Sequence, residues 1–303
     1  HQLRSRAKAT LALLKDDELA ILQAYSEGIN AGLNSLSESP FEYLLLRVEP
    51  LAWTPEDSFL VSAFMFAQMT SKVASKDYAR ELLFRSGGEA LVNFIQPEGT
   101  LWDTAIDGSK VASASLPSVE QWSSEGLALA GIVPVDGEEP MKGSNSWAVS
   151  GAMTSHGGAL LANDPHLAFS LPHIWYRTQL NYPNEQGERL NVVGVSLPGL
   201  PSVAIGSNGK VAWGMTNSAG DWADLIALDI KDNTYQSQTG PKALRVETET
   251  IEVRGGEPVS LEVRLSEWGP VYNTNGESFA YRWLAHEPEA LNAFEFMNLD
   301  RAN

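Results

Sequence analysis

Hydrophobic positions recur with a helical period over the first third of the chain and with a period of two over much of the second half. Leu11, Leu14, Leu19, Ile21 and Leu22 fall at helix-like spacing, and Asp16-Asp17-Glu18 suit a helix N-terminus. Gly28 and Gly32 fall near boundaries of that pattern, and Pro40, Pro50 and Pro55 break the next stretch. Residues 57–69 are a strongly apolar helix candidate. Their Phe59, Phe64, Met65, Phe66 and Met69 read as core at that periodicity, with the lining of a pocket as the alternative. Residues 1–112 are therefore expected to be mostly helical. Over 113–143 the pattern gives way to Ser, Glu, Gly and Pro, the composition of a linker, although 126–135 is apolar enough to pack on something.

From Ser144 onward, short alternating runs are separated by Gly, Pro and Asn turns. Strands are expected at 144–151, 159–162, 191–195, 203–206, 210–215 and 225–230. Residues 243–253 and 259–265 flank Gly255-Gly256 and read as a hairpin, 268–272 and 279–283 continue a sheet, and 289–297 returns to helix. Helices first and strands later give an α+β class, in three stretches: 1–112, 113–143 and 144–303.

Chemistry enters at Gly143-Ser144-Asn145-Ser146-Trp147, where a serine follows a glycine at the head of a strand-like run. Were the chain cut after Gly143, Ser144 would carry a hydroxyl beside a free α-amino group with a pKa of roughly 7.7–8.0. Nucleophile and base would then reside on one residue, with no separate histidine. Gly143 lacks a Cβ and can adopt the strained backbone that attack on its own carbonyl needs. On these residues alone, Gly-Ser-Asn is as simply read as an ordinary turn.

An ordered series follows: Asn163-Asp164-Pro165-His166, Leu171-Pro172-His173-Ile174-Trp175-Tyr176, Ser196-Leu197-Pro198-Gly199-Leu200-Pro201, Gly206-Ser207-Asn208-Gly209, Val211-Ala212-Trp213-Gly214-Met215-Thr216-Asn217 and Asp221-Trp222-Ala223-Asp224-Leu225. In order and spacing it resembles the start of the β-chain of the penicillin acylase family, which includes cephalosporin and acyl-homoserine-lactone acylases. The resemblance is strongest over 143–230. It is looser over 11–83, where Tyr25-Ser26-Glu27-Gly28-Ile29-Asn30-Ala31-Gly32 and Trp53-Thr54-Pro55-Glu56-Asp57 look like that family's α-chain.

The resemblance implies a four-layer αββα N-terminal-nucleophile hydrolase sandwich with a helical N-terminal part. It makes 113–143 the spacer excised from a precursor that matures into an α/β heterodimer. It implies that Ser144 first cleaves the chain after Gly143 and then attacks a substrate amide. His166 would contact the nucleophile, as in many cephalosporin and lactone acylases where penicillin G acylases carry Gln. The Asn217 backbone N–H would be one oxyanion donor, and a second is expected beyond Asn303. Asp221, the Ala223 carbonyl and Asp224 would hold a structural Ca²⁺, with Asp77 as the α-chain ligand; without the resemblance, Asp-x-x-Asp is usually a solvated turn. The substrate would be a small linear amide, the apolar helix at 57–69 could line an acyl pocket, and the compartment would be periplasmic or secreted. His156 and His173 read only as structural histidines.

Composition narrows the classes. The 303 residues are 43% hydrophobic with nine Trp, ample for a core. A net charge of −17 argues against a nucleic-acid or anionic-membrane surface, and no apolar run is long enough to span a bilayer. The absence of cysteine excludes disulfides and thiolate chemistry. Both ends, His1-Gln2-Leu3-Arg4 and Asp300-Arg301-Ala302-Asn303, read as cuts in a longer protein. Two other functions compete. A calcium-stabilised β-rich binding domain would use Trp147, Trp175, Trp213 and Trp222 as contacts, although those residues are more simply core. A Ser144–His166–Asp164 hydrolase would lack the Gly-x-Ser-x-Gly elbow.

Overall fold

The computed structural model describes residues 1–70, 73–97, 99, 107–110, 114–116, 118, 143–167, 170–184, 186–218, 220–292 and 297–302. Nearly all of the expected spacer lies outside them, including 126–135. The chain is mixed α+β, helical first and then antiparallel. It divides into two compact units, each drawing on helical and β-rich stretches: 1–69 with 142–220 and 284–303, and 70–141 with 221–283. Among the described residues no helix is long and apolar enough to cross a membrane.

In the first unit, α1 (Leu3–Leu11) is followed by α2 (Asp16–Asn34), which starts where the acidic triplet stands. The Lys15 N–H donates to the Glu18 carboxylate at 3.0 Å, satisfying one orphan donor of the first turn. Gly28 and Gly32 lie inside α2 rather than at its ends. Both have open space at the Cβ position, so the helix runs through them without a packing reason to stop. A short α3 (Phe41–Leu46) precedes α4 (Pro55–Thr70). Asp57 secures the start of α4, its carboxylate accepting from the Thr54 N–H at 2.7 Å and the Thr54 hydroxyl at 2.8 Å.

The β part of this unit has a two-stranded ribbon, β1 (Ser144–Val149) with β2 (Leu160–Pro165). It also has a four-stranded antiparallel sheet in the order β3 (Tyr176–Pro183), β4 (Arg189–Ser196), β5 (Ile205–Ser207), β6 (Ala212–Trp213). Val192, Val203 and Trp213 form its core, and the Trp213 indole N–H donates to the Val203 carbonyl at 3.0 Å. That pairing removes the cost of burying the indole nitrogen. Trp147, read from sequence as core, is 56% exposed on β1. The β4–β5 connection packs on the helices. Gly199 has φ 102°, its N–H donates to the Tyr25 hydroxyl of α2 at 3.2 Å, and a Cβ there would lie 2.7 Å from a Val61 methyl of α4. Asn30 of α2 closes the same region, its amide exchanging hydrogen bonds with the Trp53 main chain at 2.9 and 2.8 Å.

The second unit holds α5 (Val73–Ile95), broken at Gly88, and the strands β7 (Ala223–Ala227), β8 (Ile230–Lys231), β9 (Thr234–Ser237), β10 (Gly240–Ala243), β11 (Arg245–Ile251), β12 (Val259–Leu265), β13 (Val271–Thr274) and β14 (Glu277–Trp283). Three antiparallel sheets result: β13-β14-β7, β8-β9-β10 and the expected hairpin β11-β12. Leu228, Tyr235, Leu244 and Ala280 form the core. α5 lies against β7, with Tyr78 edge-on to Phe279 at 5.7 Å and Arg85 paired with Glu277 at 2.7 Å. Of the helix expected over 289–297, Pro288–Leu291 is a 3₁₀ turn and α6 (Met297–Asp300) begins at the far end; residues 293–296 lie outside the described set.

The two kinds of glycine predict opposite outcomes. Gly199→Ala must strain a positive φ and displace Val61, and is expected to cost about 1–3 kcal/mol. Gly28→Ala meets open space in a helix interior and is expected to gain about 0.5–1 kcal/mol. Denaturant melts of the two variants check both signs.

Candidate active site

Ser144 opens β1, and its position is set by pairing with β2, Ser144 lying opposite Pro165 and Val149 opposite Leu160. The ladder extends one rung past both strands. The His166 N–H donates to the Gly143 carbonyl at 3.1 Å and also approaches the Ser144 hydroxyl oxygen at 3.3 Å. One main-chain donor therefore serves the carbonyl of the Gly143–Ser144 peptide and the hydroxyl beside it. Spacing could name His166 as a neighbour of Ser144, but the contacting atom is the backbone nitrogen. The imidazole turns to Asp164, Nε2 lying 2.8 Å from the carboxylate, with the His166 side chain 43% exposed. The His–Asp pair that a conventional serine hydrolase would use is thus present, joined to Ser144 through the main chain.

In the sequence Asn163 is one member of the Asn163-Asp164-Pro165-His166 motif. Its side chain makes three hydrogen bonds. The amide nitrogen donates to the Asn145 carbonyl at 2.9 Å and to the Met215 carbonyl at 3.0 Å, and its oxygen accepts from the Met215 N–H at 3.0 Å. Gly214 packs directly on it: a Cβ there would lie 2.9 Å from Asn163 Cβ and Cγ. Asn217, the expected oxyanion donor, is exposed two residues past Met215.

The same unit contains a cavity of about 410 Å³ lined by Trp53, Asp57, Leu60, Val61, Phe64, Met65, His173, Ile174, Leu197 and Pro198. Its volume is that of a small-molecule site. The apolar helix α4 divides its residues between two roles: Phe59 is core at 1% exposure, whereas Phe64 and Met65 face the cavity. His173, expected as a purely structural histidine, lines it too. Asp57 supplies a carboxylate at its edge. Burial raises that group, but the Thr54 hydrogen bonds and the Arg4 ion pair outweigh it and hold the carboxyl below its usual range.

The penicillin amidase family profile matches residues 1–303. This chain belongs to the penicillin amidase family. It is 29% identical over 270 residues to the acyl-homoserine lactone acylase QuiP of Pseudomonas aeruginosa, covering 83% of this chain and 30% of that protein. It is 29% identical over 271 residues to the penicillin acylase 2 proenzyme of Pseudomonas sp. strain SE83, covering 83% and 32%. The chain thus spans about a third of the length of these relatives. Among solved structures, the thermostable penicillin G acylase of Alcaligenes faecalis aligns with a TM-score of 0.41 at 21% identity, over 51% of this chain and 30% of that one. Members of the penicillin amidase family are amide-hydrolysing acylases.

In the second unit, Asp77 of α5 stands near Asp221 and Asp224. Burial, then Asp221 and Asp224, push its carboxyl up to about 6, against a hydrogen bond from the Leu225 N–H. Ala223 is buried opposite Trp283, and Asp224 lies opposite Arg282. Among the described residues no three acidic, His or Cys side chains converge closely enough to hold a metal. The charge of this corner suits a hard cation, but its described side chains do not converge into a site that holds one. Asp77→Asn removes one of three mutually repelling charges. It is expected to raise the melting temperature in chelator near neutral pH, by about 2–4 °C for each kcal/mol of repulsion relieved. An unchanged or lower value contradicts the reading of the corner as electrostatically strained.

Proposed function

We propose that the full-length protein is an acylase that hydrolyses a linear amide of an acylated amine, with Ser144 as an N-terminal nucleophile produced by autoproteolysis after Gly143. The observation that carries this reading is the His166 N–H shared between the Gly143 carbonyl and the Ser144 hydroxyl. One donor thus meets both the hydroxyl that would attack and the carbonyl that would be attacked, and an N–H on that carbonyl oxygen stabilises the charge an attack develops there.

In the maturation step the Ser144 hydroxyl oxygen bonds to the Gly143 carbonyl carbon, the carbon–nitrogen bond breaks, and the hydroxyl proton passes to the departing amine. Water then splits the ester, leaving a Gly143 carboxylate and a Ser144 with free hydroxyl and α-amine. In the mature enzyme that amine serves as base, the hydroxyl attacks the substrate carbonyl, and an acyl-enzyme forms and is hydrolysed. The Asn217 N–H stabilises the oxyanion, and the His166 N–H steadies the nucleophile. The proenzyme name of one relative supports a processed precursor for this chain, with 113–143 as the excised spacer. The αββα sandwich belongs to the same reading, β1 and β2 being the ribbon on which further layers would build.

The cavity supports an apolar acyl group, since eight of its ten lining residues are apolar. Acyl-homoserine lactones and β-lactam side chains both fit that class. A divalent cation such as Ca²⁺ would have to draw Asp221, Asp224, the Ala223 carbonyl and Asp77 together as its ligands. It would supply positive charge that relieves their repulsion and would bind the α- and β-chain portions together after cleavage; no step of the hydrolysis runs through it.

Ser144→Ala is expected to leave the full-length chain uncut by intact mass and to abolish amide hydrolysis. Wild-type protein is expected to yield a subunit beginning Ser-Asn-Ser-Trp. A cleaved, active Ala variant refutes the assignment. Asp221→Ala is expected to remove the calcium-dependent rise in melting temperature, and a melting curve indifferent to chelator in the wild type removes the cation from the account.

A further inference from the structure

The Asn163 amide joins two segments that the proposed reaction needs at a fixed separation. On one side it holds the Asn145 carbonyl, the residue after the nucleophile. On the other it makes a two-point contact with the Met215 main chain, 52 residues away, donating to its carbonyl and accepting from its N–H. Two points of contact fix orientation as well as distance, which a single hydrogen bond does not. The absence of a side chain at Gly214 lets this contact close, because any Cβ there would overlap Asn163 at 2.9 Å.

We propose that Asn163 is a positioning residue: its amide, seated against Gly214, locks the Met215–Asn217 segment to the start of β1 and so sets the distance between the Ser144 hydroxyl and the Asn217 N–H. The inference rests on the assignment of Ser144 as nucleophile and of Asn217 as oxyanion donor. Its physical content is pre-organisation. The segment 214–218 has no strand of its own, and its neighbour β6 is two residues long. Its place therefore depends on side-chain tethers more than on a ladder. A backbone donor stabilises an oxyanion only where it already points at the developing charge, and a displacement of about 1 Å costs on the order of 100-fold in rate. None of the three residues in this tether, Asn145, Asn163 and Met215, lines the cavity proposed to take the substrate.

The test uses full-length protein, a fatty-acyl 4-nitroanilide as linear-amide probe, and rates expressed per mole of free Ser144 N-terminus, so that any change in maturation or folding yield drops out. Asn163→Ala is expected to lower kcat by about 10- to 100-fold with KM within about twofold of wild type. Gly214→Ala leaves the Asn163 side chain in place but pushes it off Met215, and is expected to show the same pattern. The double variant is expected to be no slower than the slower single, because both changes break one arrangement. Wild-type kcat in either matured single variant, a rise in KM at constant kcat, or fully additive losses in the double variant overturns the proposal. Should Asn163→Ala fail to mature, Gly214→Ala and Asn163→Ser carry the same expectations. Ser144→Ala in parallel separates the two levels: if it hydrolyses the probe, the acylase reading itself falls, and if it is inert while Asn163→Ala turns over normally, only the positioning role is lost.

Discussion

The antiparallel ladder between β1 and β2 ends on a main-chain N–H with two acceptors, and the account of this protein depends on that rung. Backbone pairing fixes His166 opposite Gly143 without asking anything of the His166 side chain. The same N–H then reaches the Ser144 hydroxyl. The Ser144 hydroxyl and the Gly143 carbonyl are covalent neighbours, so what folding adds is orientation and a donor on the carbonyl oxygen. In the proposed maturation Ser144 stays on β1 opposite Pro165, so the His166 N–H that faces the Gly143 carbonyl would remain beside the Ser144 hydroxyl.

Around this rung the first unit arranges its remaining chemistry by tethers of similar economy. Asn163 reaches from β2 to both β1 and the 214–217 segment. Gly199 lets the β4–β5 connection approach Trp53 and Val61, which closes one wall of the cavity. Asn30 and Asp57 fix the entry to α4, so that Phe64 and Met65 face that wall while Phe59 turns into the core. In the second unit the acidic corner is the opposite case. Asp77 is held where its charge is disfavoured, by burial first and then by Asp221 and Asp224, with the Leu225 N–H and Arg80 acting the other way.

Much of this was legible in the sequence where one period dominated. Residues 57–69 gave α4, and the charged alternation of 243–265 gave the β11–β12 hairpin in register across Gly255-Gly256. The strand β3 was not foreseen. Its inward positions, Thr178, Leu180 and Tyr182, alternate correctly but include only one aliphatic residue. The short β9 and β10 bury little beyond Tyr235 and Ser237, too few positions for a period to register. Gly28 and Gly32 looked like punctuation but lie inside α2, where the neighbouring apolar positions outweigh two weak helix formers. At the candidate site, order and spacing named Ser144 and His166 but not which atom of His166 does the contacting, because a backbone donor leaves no mark on residue identity. Asn163 was hidden for a related reason: its role exists only once Met215 folds back onto it from 52 residues away.

The most direct measurement compares the rate at which the full-length chain splits between Gly143 and Ser144 in His166→Ala and His166→Pro. Alanine removes the imidazole and keeps the N–H, whereas proline removes the N–H and still suits the extended end of β2. The account predicts that the alanine variant is cleaved at a rate near that of the wild type and that the proline variant, folded by circular dichroism, stays intact. Normal cleavage in the proline variant, or loss of cleavage in the alanine variant alone, would contradict it.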